Sequence, residues 1–276
     1  MNKGERKMTS AIIPKIVEST SFHIKPVRNH LSNTMIRTTT PSAFATQPAE
    51  WVSDKYSFVP TIKVIDALRD SGWFPTQAVE TKSRFEKTIG FQKHMIRFSR
   101  ADFYDSEKRI ELVLTNGHNA MTSFKLQAGV YRLVCSNGLI VGQDSMKFVH
   151  PHIGFQIEDL LTSVTSISQS ANVIYEMIDV FKNTKMTTTQ SLSLSSKIAE
   201  FVWPETACIS LAKNLLMSRR IEDSTNNLWT TTNIIQENVM KGGIKTKKSK
   251  TRGISNIQKT VSVNEFIWKS ACGFTQ

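Results

Sequence analysis

The sequence predicts an α+β protein: a mostly antiparallel, curved sheet followed by a helical half packed against it. Three observations carry that expectation. Between Trp73 and Val149, β-type segments alternate from side to side and are separated by Asn-Gly and other turn signals. From Ile157 onward, apolar residues recur at helical spacing. With 39% hydrophobic and 21% charged residues, the chain is ordinary globular material that can bury a core.

Each element has its own justification. Residues 1–50 are rich in Thr, Ser, Pro and basic residues and sustain no long apolar period, which predicts a flexible basic N-terminal arm. Thr61–Ser71 has Ile62, Ile65 and Leu68 at helical spacing. Thr61 is placed to cap it and Gly72 to end it. Trp73–Arg84 and Phe91–Phe98 read as strands; in the second, Phe91, Lys93, Met95 and Arg97 share one face and Gln92, His94, Ile96 and Phe98 the other. A third strand at Glu111–Thr115 stops at Asn116-Gly117.

The densest β segment runs from Met121 to Gly142. It contains Arg132 and Cys135, with Gly129 as an expected bulge and Asn137-Gly138 suited to a type I′ hairpin. The stretch Val130–Cys135 also satisfies a short helical turn after Gly129. One helical period holds from Ile157 to about Lys182, followed by a polar loop at Thr184–Ser191. Helices are expected at Leu192–Phe201, Thr206–Met217 and Leu228–Lys241, the last ended by Gly242-Gly243. The expected organisation is thus an arm at 1–50, a sheet-rich half at 51–155 and a helical half at 156–276. The two halves form one structural unit.

Composition narrows the function classes. The 276 residues carry a net charge of +12, which favours polyanionic partners, nucleic acid foremost. No apolar stretch reaches the roughly 20 residues of a membrane span, and the N-terminus lacks a secretory apolar core, so a cytoplasmic protein with no membrane partner is expected. The three cysteines are far apart, and no CxxC pair exists for a zinc ribbon. GxxxxGK[ST] and GxGxxG loops, HExxH and a carboxylate cluster are all missing. No cofactor, metal or catalytic residue is therefore assigned.

The clearest chemical signal is a basic loop at 242–252. Lys241, Lys245, Lys247, Lys248, Lys250 and Arg252 lie there without an acidic residue, as a segment tracking phosphates requires. Lys93 and Arg97 lie beside Phe91 and Phe98, where cations hold phosphates and rings stack bases. Arg132 is added as a phosphate contact, with pairing to a buried acid as the competing role. His118 follows a turn, and with Cys135 it would be a Cys/His pair only if the fold joined them. Trp229, Asn233, Gln236 and Met240 fall near one face of a helix, with Glu237 one turn from Asn233. That pattern suits a buried hydrogen-bond network better than a groove.

Several stretches resemble the domain of unknown function 932 family, also called uncharacterised protein family 0380. They are Phe58-Val-Pro-Thr, Gly90–Phe98, Leu114-Thr-Asn-Gly-His and Leu126–Leu139, then Asn227-Leu-Trp-Thr, Gln236–Gly243, Thr251-Arg-Gly-Ile and Val263–Trp268. The resemblance covers about Trp51 to Trp268; Asn119 and Thr232 depart from the usual pattern, and the first fifty residues lie outside it. It places His94, Asn116, His118, Cys135, Asn137, Gly138, Trp229, Gln236, Glu237 and Asn238 in family motifs without giving them roles. It implies the biology of phages, prophages and plasmids.

Together these readings predict a non-enzymatic DNA-binding protein of a mobile element that assists single-strand handling, annealing or replication. Single strands are favoured over duplex, and a homo-oligomer is compatible. The alternatives are an anti-defence or regulatory protein that binds a host protein, and a nuclease, which would need carboxylates to converge on folding.

Overall fold

The structure, a computed structural model, describes residues 30–104, 108–132, 138–140, 146–246 and 249–275. It is α+β, with an antiparallel sheet followed by a helical C-terminal half. The sheet runs β1 (Phe74–Glu80), β2 (His94–Tyr104), β3 (Lys108–Asn116), β4 (Phe124–Arg132) and β5 (Gly138–Ile140) in spatial order. β6 (Lys147–His150) shares the far edge of β4 with β5. β1 is an edge strand, so Pro75, which cannot donate to a ladder, is tolerated there.

Strand alternation sorts residues to two faces, and both are covered. Ile96 and Phe98, Ile110, Leu112 and Leu114, and Phe124, Leu126, Ala128 and Val130 enter the main core. Full burial of each large apolar side chain contributes about 1.5–3 kcal/mol. The second face has a smaller cluster of Met95, Val113, Tyr131 and Ile140, closed by Ile257 and Val261 of α8 (Ile257–Cys272). Val263, Ile267, Trp268 and Ala271 of α8 belong to the main core, so this helix joins the two clusters.

Several elements differ from the sequence expectation. The Ile157–Lys182 period is two helices, α3 (Ile157–Gln169) and α4 (Ala171–Asn183). The Ser168 and Ser170 hydroxyls donate to carbonyls one turn back, and the helix halts at Ser170, while Leu160, Val164, Ile167, Ala171, Ile174, Ile178 and Phe181 stay buried throughout. The polar stretch at 184–191 is not all loop: a Thr187/Gln190 capping box starts α5 (Thr188–Val202). The Thr206–Met217 helix shortens to α6 (Ile209–Leu215), and α7 is Leu228–Lys241 as expected. Phe91–Lys93 precede β2 instead of opening it. Gly129 is no bulge; it pairs in regular register with Glu111 and Ile140. The turn at Asn137 lies outside the described residues.

The N-terminal segment also differs. Residues 1–29 lie outside the described residues, but from His30 the chain is folded. α1 (Asn33–Thr39) buries Ile36, the Leu31 amide donates to the Pro75 carbonyl at 2.6 Å, and the Ala49 amide to that of His118 at 2.9 Å.

A polar chain fastens this segment to the sheet. Ser42 donates its hydroxyl to Glu80 Oε2 at 2.6 Å and lies 3.0 Å from His94 Nδ1. The Gln92 carbonyl, 3.0 Å away, can only accept, so Nδ1 of His94 carries the proton. His94 Nε2 then accepts from the Thr61 hydroxyl at 2.8 Å, and Asn116 Nδ2 donates to Thr61 at 2.9 Å. Thr61 is therefore not the cap of α2 (Thr61–Asp70): it is the first helical residue, and its hydroxyl faces inward while Pro60 precedes it.

Burial pushes His94 down to about 4, only partly opposed by the bond to Gln92. Burial, then the neighbouring His94 and His152 rings, pushes His118 down to about 3. Both rings are neutral in the folded protein at pH values where the unfolded chain, with its ordinary pKa of 6.5, takes up protons. Their contribution is complete above about pH 6.5 and is lost as pH falls toward 4 and 3, at a slope on the order of 1 kcal/mol per pH unit for each ring. Urea denaturation between pH 7 and 4.5 is expected to show this decline, and His94→Gln is expected to flatten it.

Candidate nucleic-acid interface

α7 ends where its sequence says it should. Gly242 takes φ +66, a backbone conformation that favours glycine, and Gly243 follows at φ +79. What comes next is not a loop. Gly242–Lys245 (β7) pairs with Lys250–Arg252 (β8) in an antiparallel hairpin. Thr246 and Ser249 close it: the Thr246 amide donates to the Ser249 carbonyl at 2.7 Å, and the Ser249 amide to the Thr246 hydroxyl at 3.0 Å. At its base the two strands touch through glycines. A Cβ on Gly242 would lie 2.4 Å from the Gly253 nitrogen, and one on Gly253 would lie 2.9 Å from the Lys241 carbonyl oxygen.

The hairpin presents its cations to solvent. Lys245, Lys250 and Arg252 are exposed, and none has an ion-pair partner among the described residues. Lys247 and Lys248 lie outside the described residues. One side of the hairpin borders an open groove of about 420 Å³ whose lining includes Lys250, Arg252, Lys259, Asn256 and the half-buried Trp203. Asn256 caps α8 there, its side chain accepting from the Lys259 amide at 2.9 Å, so the positive end of a 16-residue helix opens beside the cations. Cations, a helix N-terminus and an aromatic ring are the parts that hold phosphates and stack bases. Sequence reading missed Trp203 and Lys259, which lie far from the basic stretch or just beyond it and meet it only in the fold.

The remaining residues expected at phosphates are engaged elsewhere. Arg97 is a correction: it is buried on the second face of the sheet, paired with Glu111 through Nε, bonded to Gln77 through Nη1 at 2.6 Å, and stacked 3.2 Å above the Tyr131 ring. Arg132 is the second correction, since it forms a buried ion pair with Asp223. Lys241 is exposed but is bonded to Glu237 at 2.5 Å. Lys93 is half-buried and donates to Gln258 at 2.7 Å; burial first, and then Lys125, hold its ammonium below the ordinary lysine value.

The family-motif residues are mostly internal. His94, Asn116 and His118 are fully buried, with the His94 and His118 rings 5.3 Å apart. His118 packs against Phe58 at 4.9 Å and is not a solvent-facing turn residue. Cys135 and Asn137 lie outside the described residues, and Gly138 opens β5 opposite Tyr131. Trp229, Gln236, Glu237 and Asn238 are all buried on α7. Gln236 donates to Asn264 at 3.0 Å, and Asn238 to the carbonyls of Leu215 and Met217 at 2.8 and 2.9 Å. Burial alone pushes the Glu237 carboxyl up, but hydrogen bonds from Arg220 and Lys241 outweigh it and hold the group below the ordinary glutamate value. This is the buried network the helix pattern suggested. Among the described residues no three His, Cys, Asp or Glu side chains converge on a metal-sized site, and no helix is long and apolar enough to cross a membrane.

A basic hairpin at the end of a buried polar helix, on a sheet covered on both faces, defines an α+β protein with an exposed cationic groove. The profile of the family described as Domain of unknown function (DUF932) matches residues 48–268, and the chain belongs to that family. It is 28% identical over 236 residues to the UPF0380 protein YfjQ of Escherichia coli K12, covering 84% of this chain and 86% of that one. The UPF0380 protein YafZ of the same organism matches with the same identity and coverage. No solved structure matches the chain.

Two stability outcomes follow from this geometry. Asp223→Ala, which strips the carboxylate from buried Arg132, is expected to cost about 3 kcal/mol in urea denaturation. Gly242→Ala, which combines a positive φ with a backbone clash, is expected to cost about 1–3 kcal/mol and to weaken whatever the hairpin binds.

Proposed function

We propose that this protein binds nucleic acid along hairpin β7–β8, using Lys245, Lys250 and Arg252 together with the Lys247 and Lys248 that the sequence places between them. The observation that carries the reading is that the described hairpin cations are solvent-exposed and unpaired among the described residues, beside a groove that also holds Trp203 and the N-terminus of α8. Five cations on the sheet and helices, Arg97, Arg109, Arg132, Arg220 and Lys241, meet carboxylates instead. Exposed cations gathered on one hairpin are available to displace counterions from a phosphate backbone. The half-buried Trp203 ring favours unpaired bases, which expose their faces for stacking, over a closed duplex.

The binding role is non-catalytic and cytoplasmic. The resemblance to a family met largely in phages, prophages and plasmids supports single-strand handling, annealing or replication for such an element as its setting. Anisotropy of labelled single-stranded and double-stranded oligonucleotides across a salt series tests this. Binding should weaken steeply with salt. Replacing Lys245, Lys250 and Arg252 with Gln should make the single-strand log–log slope shallower by about 2, at roughly 0.7 for each phosphate that is no longer neutralised. An unchanged slope in that variant, or no binding at low salt, would remove the proposal.

A further inference from the structure

An open cleft of about 220 Å³ lies where α8 begins to cross the second face of the sheet, and the hairpin reading uses none of it. Its floor is the end of the sheet: Thr115 on β3 lies directly opposite Lys125 on β4, and Lys93 stands just before β2. Its far wall is the first half of α8, through Gln258, Ser262 and Glu265.

Two cations share this cleft without a counter-ion. Lys93 and Lys125 are half-buried, neither closed off in the core nor extended fully into water. Lys93 donates to the uncharged Gln258 side chain at 2.7 Å, and neither lysine has a carboxylate at ion-pair distance among the described residues. Glu265, the carboxylate of the lining, accepts from the Gln127 amide. The two ammoniums act on each other: after burial, Lys125 is the cause that holds Lys93 below the ordinary lysine value. Like charges held together in a half-buried place repel, and an anion set between them turns that repulsion into attraction. The hydroxyls of Thr122 and Ser123 edge the same space and are of the kind that donates to phosphate oxygens.

The cleft neighbours the hairpin groove. Gln258 lines the cleft and the next residue, Lys259, lines the groove, so the opening turns of α8 lie between them. A helix with its side chains is about 10–12 Å across. A few nucleotides cover that span, since successive phosphates advance about 3.4 Å even in a stacked strand.

We infer that the Lys93–Lys125 cleft is a second phosphate site, on the path of the strand that the hairpin binds. The inference rests on the hairpin reading for the identity of that strand. Lysine is a compact point charge, so the contact holds a phosphate without selecting a base, and it directs the strand out of the hairpin groove, over the start of α8 and toward β4. The cleft is smaller than the roughly 300 Å³ at which small-molecule pockets begin, which suits a single phosphate group.

The test measures anisotropy of a labelled oligothymidine on the full-length protein across a salt series, and follows the lysine Cε–H resonances with inorganic phosphate. Replacing Lys93 and Lys125 with Gln should make the log–log slope shallower by about 0.7–1.4, at roughly 0.7 for each phosphate no longer neutralised, and should add to the loss in the hairpin triple variant. Replacing both with Arg should keep the native slope. Lys125→Gln alone should raise the Lys93 titration toward the ordinary lysine value, which shows that the cleft is intact in a folded variant. An unchanged slope in the Lys93/Lys125 variant, with a shallower one in the hairpin triple variant, would overturn the second site and leave the hairpin reading standing. The reverse would overturn the hairpin reading and the strand path together. Resonance shifts with inorganic phosphate but no change in strand slope would make this a site for free phosphate and overturn the path. Absence of strand binding at low salt would remove both readings.

Discussion

Arg97 can be buried on the second face of the sheet only because Glu111 is buried with it. The idealised cost of taking one such charge out of water is far larger than the stability of a whole domain, so the pair must form together. Glu111 also accepts from Ser99 at 2.9 Å and meets Arg109, while Tyr131 covers the guanidinium. That pairing sets the requirement for the rest of the helical half. A sheet face with charge at its centre needs a cover that is apolar at one end and polar at the other. α8 provides Ile257 and Val261 over Met95 and Val113, and α7 brings Gln236 beside Asn264 near the charged centre. The polar side of α7, unusual for a buried helix, is matched by partners around it: Asn264, the carbonyls of Leu215 and Met217, and Arg220.

The opposite edge is governed by a similar constraint with uncharged groups. His94 and His118 sit in the main core, where protonation would place an unpaired charge, and burial keeps both rings neutral. A neutral ring needs one donor and one acceptor partner. Gln92 and Thr61 fill these roles for His94, and Ser42 ties the arrangement to Glu80. The segment before Trp51 is thus held by hydrogen bonds to the sheet as well as by Ile36 in the core. Its polar composition, which suggests solvation when read alone, includes Ser42, whose amide and hydroxyl bond to Glu80 beside His94.

This explains which parts were legible in sequence. Strand alternation at Glu111–Thr115 and the span of α7 were readable because each is a local period ended by a local signal, Asn116-Gly117 or Gly242-Gly243. The break at Ser170 was hidden because both helices bury the same apolar side, so the period runs through it. The α5 cap was readable in principle as Thr187 and Gln190, but the surrounding threonines read as loop. Charge was the least legible property. Sequence shows that Arg97, Arg132 and Lys245 are cations, yet only the fold shows that the first two meet Glu111 and Asp223 while the third stays in water. Arg132 and Asp223 are 91 residues apart, beyond any local pattern.

The exposed cations of the hairpin stand on a base unlike the buried ion pairs. The hairpin stands on Gly242 and Gly253, whose missing side chains let the strands approach to within backbone contact. Arg219 donates to the Gly242 carbonyl and to Asn238 Oδ1 at 2.5 Å, so the hairpin base is joined to the buried face of α7. A rigid base carrying an exposed cationic strand pair permits phosphate contact without ordering a long loop, and the conformational entropy of such a loop is the main cost that free basic tails meet on binding. Glycine at both positions therefore lets the hairpin emerge directly from the charge-paired interior, with no spacer between the packed helix and the exposed cations.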